Sequence, residues 1–182
     1  MSVSAKVRLL VILAILSAAS VVLGKFLQIP VGDSIRISFE NLPVLFAGIV
    51  FGPVQGMAVG CVSDLVGCLA VGYSINPLIT LGAVSVGFIS GIISGVTMRD
   101  GRYKVSFIVL AVLLAHIVGS VIIKSAALRL WYSTPWSVLA IRIPVYFANT
   151  AAEAAIIAVL LRSSAIRGAL RRFNGDSRKV QS

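Results

Sequence analysis

Eight residues able to bind or relay charge sit inside apolar runs of this chain. Asp64 interrupts one run. His116, Ser120 and Lys124 interrupt a second at intervals of four, and Arg142, Tyr146, Asn149 and Glu153 recur in the last at intervals of four, three and four. On a helix each series shares one face. An ionisable side chain at the centre of a lipid-spanning helix costs ~2.5–3.5 kcal/mol on insertion scales, so such faces turn inward, onto one another or onto a cavity.

Two chemistries suit these stripes. Internal ion pairs, Asp64 with Arg142 or Lys124 with Glu153, would lock helices together. The polar residues outnumber what two pairs require, which favours a cavity. Counted from the ends of their runs, Lys124 and Arg142 lie in the outer half of the membrane, and Asp64, Asn149 and Glu153 nearer its middle. Cations at a mouth above acid and amide groups at a floor suit a ligand with an anionic end and a hydrogen-bonding heterocyclic end. His116 taken singly reads more simply as a core histidine with its hydrogen bonds met.

The chain holding these stripes has 182 residues, 58% hydrophobic and 12% charged, with a mean hydropathy of +1.02. Soluble domains are about one-quarter charged, so this is an integral membrane protein, a single membrane domain over 1–182. Spans are expected at about 7–26, 41–51, 53–71, 77–98, 104–131 and 136–161, an all-α bundle of six helices, with 162–182 a basic tail. Lys6 and Arg8, the Arg99/Arg102/Lys104 turn and six tail residues (Arg162, Arg167, Arg171, Arg172, Arg178, Lys179) hold most of the 16 basic side chains. The positive-inside rule then puts both termini in the cytoplasm and Trp131, Tyr132 and Trp136 at the outer interface. A net charge of +10 placed at span ends, without an aromatic-laced patch, gives no nucleic-acid surface. The N-terminal run has the pattern of a signal peptide, but five apolar segments follow it, so it reads as the first span.

Small residues organise the packing. Gly48, Gly52, Gly56 and Gly60 recur every fourth residue and break at Gly52-Pro53, which predicts a helical hairpin; Ala83, Gly87, Gly91 and Gly95 form a second ladder. Ala14 and Ala18 make a small-xxx-small pair in the first span, for packing within the bundle or for docking a partner helix. Cys61 and Cys68 read as small buried hydrophobes, so no metal site is expected. From Ser34 to Phe39 apolar and polar residues alternate, which predicts an extended loop over the bundle. No phosphate-binding glycine loop, zinc-protease or nucleophile-elbow motif is present, so no enzyme is expected.

The run Ser38-Phe39-Glu40-Asn41-Leu42-Pro43, then Ala47-Gly48, Phe51-Gly52-Pro53, Gly56, Gly60, Asp64-Leu65 and Gly67, resembles the substrate-binding (S) components of energy-coupling factor (ECF) vitamin transporters. Gly72-Tyr73, Asn76 through Ala83, and Arg142-Ile143-Pro144 resemble the folate branch. The resemblance implies a bacterial plasma-membrane receptor that takes a vitamin from outside, then joins a transmembrane coupling subunit and two cytoplasmic ATPases, with no cofactor beyond the transported folate. It implies that Ala14 and Ala18 dock on the coupling subunit and that the first loop closes over the ligand. Lys124, Arg142 and lid residue Arg36 would meet folate's glutamate carboxylates; Asp64 or Glu153 would accept from the pterin; Tyr73, Phe39 or Trp131 would stack on its rings, with Asn76 and Asn149 nearby. Riboflavin, pantothenate or a queuosine precursor is the alternative ligand, and a structural or assembly membrane protein the alternative class.

Overall fold

The computed structural model of the chain describes residues 3–31, 35–97, 103–164 and 166–168. Gly32, Asp33 and Ser34 of the first loop, Arg99 and Arg102 of the basic turn, and Arg171, Arg172, Arg178 and Lys179 of the tail lie outside the described residues.

Helix α1 (Val3–Val21) runs on through a wider π-helical stretch, Val22–Phe26, where the Leu27 N–H bonds the Val22 carbonyl at 3.1 Å. The alternation after Ser34 predicts one extended segment. The chain instead pairs β2 (Ile35–Ile37) antiparallel with β1 (Ile29–Val31), setting Ile29 opposite Ile37, Pro30 opposite Arg36 and Val31 opposite Ile35. Pairing gives backbone N–H and C=O groups partners that a lone strand lacks.

Next come α2 (Asn41–Phe51), α3 (Pro53–Ala70), α4 (Pro77–Thr97) and α5 (Val105–Ala115). A second π-helical stretch, His116–Ile123, joins α5 to α6 (Lys124–Tyr132), and α7 (Trp136–Arg162) closes the bundle. The hairpin turns where expected: Gly52 takes φ +108°, open to glycine, and Pro53 occupies the first position of α3. Asn76 starts α4, its Oδ1 accepting from the backbone N–H groups of Leu78 (3.0 Å) and Ile79 (3.4 Å).

Among the described residues, five helical segments are long and apolar enough to cross a membrane: Lys6–Phe26, Pro53–Ala70, Pro77–Thr97, Val105–Tyr132 and Trp136–Arg162. At 11 residues, α2 covers only about 16 Å against a hydrocarbon core of ~30 Å. It starts below one rim of the bundle, where Ser20 Oγ donates to the Glu40 carbonyl at 2.5 Å. It ends beside the last turns of α4, where Ser94 Oγ donates to the Ile49 carbonyl at 2.7 Å.

The small-residue ladders explain how three helices share this space. A Cβ on Gly56 would lie 2.5 Å from the Gly87 carbonyl oxygen, too close for any side chain, and Gly60 meets Ala83 in the same way. Gly95 departs from the ladder, since a Cβ there would meet nothing within 4 Å. The cause is chain length: α3 begins at Pro53, which already faces Gly91, so one turn further on α4 has no α3 residue to approach. Leu45, Val59, Val86, Ile108, Val112 and Ile157 belong to the apolar core, and the polar stripes reach the segment after β2, where Lys124 bonds Glu40 and Asn149 bonds Ser38.

Candidate functional site

Burying a lysine requires a charge partner, and Lys124 finds one in the segment before α2. Its Nζ donates to Glu40 Oε1 at 2.9 Å. Burial pushes the Glu40 carboxyl up, but the Lys124 ammonium and its hydrogen bond, aided by Lys25 and Arg142, outweigh this and hold it below its ordinary 4.5. Three glycines make room for the cluster. A Cβ on Gly24 would fall 2.6 Å from Glu40 Cβ, one on Gly67 2.8 Å from Lys25 Cε, and one on Gly82 2.6 Å from Lys124 Cγ. Asp64 completes it, accepting from Thr80 Oγ1 at 2.7 Å. Lys25, Glu40, Asp64 and Lys124 together border a void of about 20 Å³, room for one water.

A second cluster lies on the facing stripes of the π-helical stretch and α7. His116 Nε2 meets Glu153 Oε2 at 2.5 Å and His116 Nδ1 meets Ser120 Oγ at 3.2 Å, with His116 and Glu153 both fully buried. The His116 ring lies 5.4 Å from that of Tyr146. Arg142 donates from Nη2 to the Tyr146 hydroxyl (3.3 Å) and to the Ser120 carbonyl (3.4 Å), and lies over the Tyr146 ring. The expected pairs Asp64–Arg142 and Lys124–Glu153 are therefore replaced by Asp64–Thr80, Lys124–Glu40 and Glu153–His116. Glu40 reaches Lys124 from the loop side before Glu153 can, and His116 lies opposite Glu153.

Between the clusters is a cavity of about 250 Å³ whose lining includes Ser38, Glu40, Asn41, Arg142, Tyr146 and Asn149. Asn149 Nδ2 donates to the Ser38 carbonyl at 3.4 Å, tying α7 to the segment that follows β2. Arg142 Nε has no hydrogen-bond partner among the described residues. A buried guanidinium donor, an amide, a phenol and a carboxylate in one wall can hold a ligand carrying both anionic and amide-like groups. A larger void of about 620 Å³ between α6 and α7 is apolar apart from Arg129 and Ser125.

Among the expected site residues, Arg142 and Asn149 line the polar cavity, while Asp64 and Lys124 border the adjoining void. Glu153 lies behind them, bonded to His116. Asn76 is occupied as a helix cap, although its Nδ2 has no partner among the described residues. Arg36 falls in β2 opposite Pro30, and Phe39 follows that strand, half-buried. Tyr73 and Trp131 are more than half exposed. Ala14 and Ala18 are both exposed on α1. No three His, Cys, Asp or Glu side chains are grouped to hold a metal ion among the described residues.

A family model described as "ECF-type riboflavin transporter, S component" matches residues 4–167. The chain belongs to the S components of ECF-type transporters. These are substrate-binding, multi-pass membrane proteins. Among curated relatives, the folate transporter FolT of Clostridium novyi is 32% identical over 108 residues, 59% of this chain and 60% of that protein. The "Uncharacterized protein MG313 homolog" of Mycoplasma pneumoniae is 29% identical over 113 residues, 60% of this chain and 39% of that protein. Each match thus takes in less than two thirds of the relative. The fold resembles the crystal structure of FolT bound with folic acid (TM-score 0.68, 23% identity, 83% of this chain and 90% of that one). It also resembles an S component for biotin (TM-score 0.72, 18% identity, 89% and 93%).

Sequence reasoning about this S component missed Glu40, Lys25 and Thr80 as members of the charged cluster. Glu40 sits in the Ser38–Pro43 run that carries the family resemblance. A carboxylate one residue before an apolar helix is the signal that points to it. Tyr146, part of the α7 stripe, proves to be cavity lining.

Proposed function

We propose that this S component captures folate at the outer face of a bacterial plasma membrane and delivers it through a transmembrane coupling subunit driven by two cytoplasmic ATPases. The observation carrying the reading is the mixed lining of the 250 Å³ cavity beside the β1–β2 hairpin. Arg142 takes the glutamate carboxylates, helped from the hairpin by Arg36. Asn149 and Glu40 meet the amide-like edge of the pterin, with Asp64 and Lys124 holding Glu40 in register, and Glu153 bracing the wall through His116 and Tyr146. Phe39, Tyr73 and Asn76 complete the ligand contacts once the loop closes. In this reading the first loop opens to admit the vitamin and closes over it.

The similarity to a protein named as a folate transporter supports this choice. A riboflavin receptor is the second reading, favoured by the description of the matched family. Riboflavin has no carboxylate and would leave Arg142 without an anionic partner.

The membrane arrangement in this reading is six passes with both termini cytoplasmic, the short helix α2 making the second. The cations at the span ends support that orientation. Ala14 and Ala18, one turn apart on the open face of α1, form the contact with the coupling subunit. The test is calorimetry on the purified chain with folate, riboflavin and biotin. Submicromolar folate binding supports the proposal, and a preference for either other vitamin overturns it.

A further inference from the structure

The 620 Å³ void between α6 and α7 plays no part in the vitamin site, yet its chemistry is specific. Val121, Ile122, Leu130, Leu139, Ala140 and Ile143 give it apolar walls, and Arg129 is the one charged residue among the described residues of its lining. The guanidinium is held in place: Nη1 donates to the Thr134 carbonyl at 3.3 Å, and the group packs over the Trp136 ring at 5.4 Å. Trp131, Tyr132 and Trp136 are all more than half exposed here. In a multi-pass membrane protein, exposed aromatic rings gathered at helix ends mark the headgroup level. From that level the groove runs toward Val121 on one wall and Ile143 on the other, about 10–12 Å of helix at 1.5 Å per residue.

A fixed cation at headgroup depth, above an apolar trough leading toward the hydrocarbon, matches one molecule the membrane supplies. We propose that this groove holds an anionic phospholipid, with its phosphate on Arg129 and one acyl chain against Ala126, Ala140 and Ile143. Among the described residues, no carboxylate lines the groove to compete for the guanidinium. The volume lies within the ~300–1,000 Å³ typical of small-molecule sites.

The two tryptophans of the chain, Trp131 and Trp136, are both at this corner, so their fluorescence reads the site. The Trp131→Phe chain is reconstituted in phosphatidylcholine vesicles, with acyl-brominated phosphatidylglycerol or acyl-brominated phosphatidylcholine at equal mole fraction. Quenching of Trp136 should report an association constant about fivefold higher for the anionic lipid, the worth of one basic residue at an anionic surface. Arg129→Gln should remove that preference, and Ala140→Phe, which fills the trough, should reduce quenching by both lipids. Equal quenching by the two lipids, a preference surviving Arg129→Gln, or quenching unaffected by Ala140→Phe would each overturn the proposal. Helical circular dichroism of each variant confirms that the bundle is intact, and the two substitutions test the site separately should one fail to fold.

Discussion

Lys124 and Glu40 meet at 2.9 Å although 84 residues separate them. Their bond joins the start of α6 to the residue before α2, beside the Asn149–Ser38 bond that ties the same segment to α7. Removing one partner strands the other charge. Lys124→Ala is expected to cost on the order of 3 kcal/mol, the lower end for a buried pair because Glu40 keeps some exposure. The double variant Glu40→Gln/Lys124→Met should lose less than the two single losses added, which thermal unfolding in detergent measures as a double-mutant cycle.

The same pair sets a pH dependence. The folded-state pKa of Glu40 lies below its ordinary 4.5. Its contribution is therefore complete above about pH 4.5 and is lost as pH falls through the lower folded value. Melting temperature should decline less steeply in Glu40→Gln than in the parent chain over that acid window. Parallel declines would show that Glu40 contributes nothing there.

His116 and Glu153 form a pair that is wholly buried. Glu153→Ala should destabilise the bundle by about 3–5 kcal/mol, and His116→Ala by a similar amount. Because each deletes the same contact, the double variant should be little worse than either alone. Additive losses would mean that the two side chains act independently.

Close approach at Gly87 and open space at Gly95 give a matched contrast on one helix. Gly87→Ala forces α4 away from α3 and should lower the melting temperature sharply. Gly95→Ala should be neutral or stabilising by about 0.5–1 kcal/mol, since alanine favours a helix over glycine.

Much of the scaffold was legible because helical periodicity and small-residue spacing are local signals. The Phe51-Gly52-Pro53 turn, the inward stripes and the Asn76-Pro77 helix start all follow from neighbours within one or two turns. The pairing of charges was not legible. Lys124 had Glu153 in view on another span, while its actual partner stood outside any span and reached it only through the packing of α1, α2 and α4. The π-helical stretches at Val22–Phe26 and His116–Ile123 also escaped, since counting at 3.6 residues per turn contains no instruction to widen. Arg142, Tyr146 and Asn149 line one cavity because a single face of α7 carries them, whereas Glu153 of the same stripe turns to His116. Tyr73, placed by residue type alone, stands more than half exposed.

Arg142 is the residue on which the ligand assignment turns. Arg142→Ala should weaken folate binding by at least about thirtyfold, the 2 kcal/mol or more expected when a buried charge partner is truncated. Arg142→Lys should recover only part of that loss, since an ammonium cannot present the planar fork that grips a carboxylate with two parallel hydrogen bonds. Full recovery would point to charge alone.

The most direct test of the central claim is a calorimetric competition on the purified chain, without any partner subunit, in which folate and riboflavin are titrated separately and then against each other. The account predicts submicromolar folate binding that riboflavin does not displace. Tight riboflavin binding that folate fails to displace would contradict it.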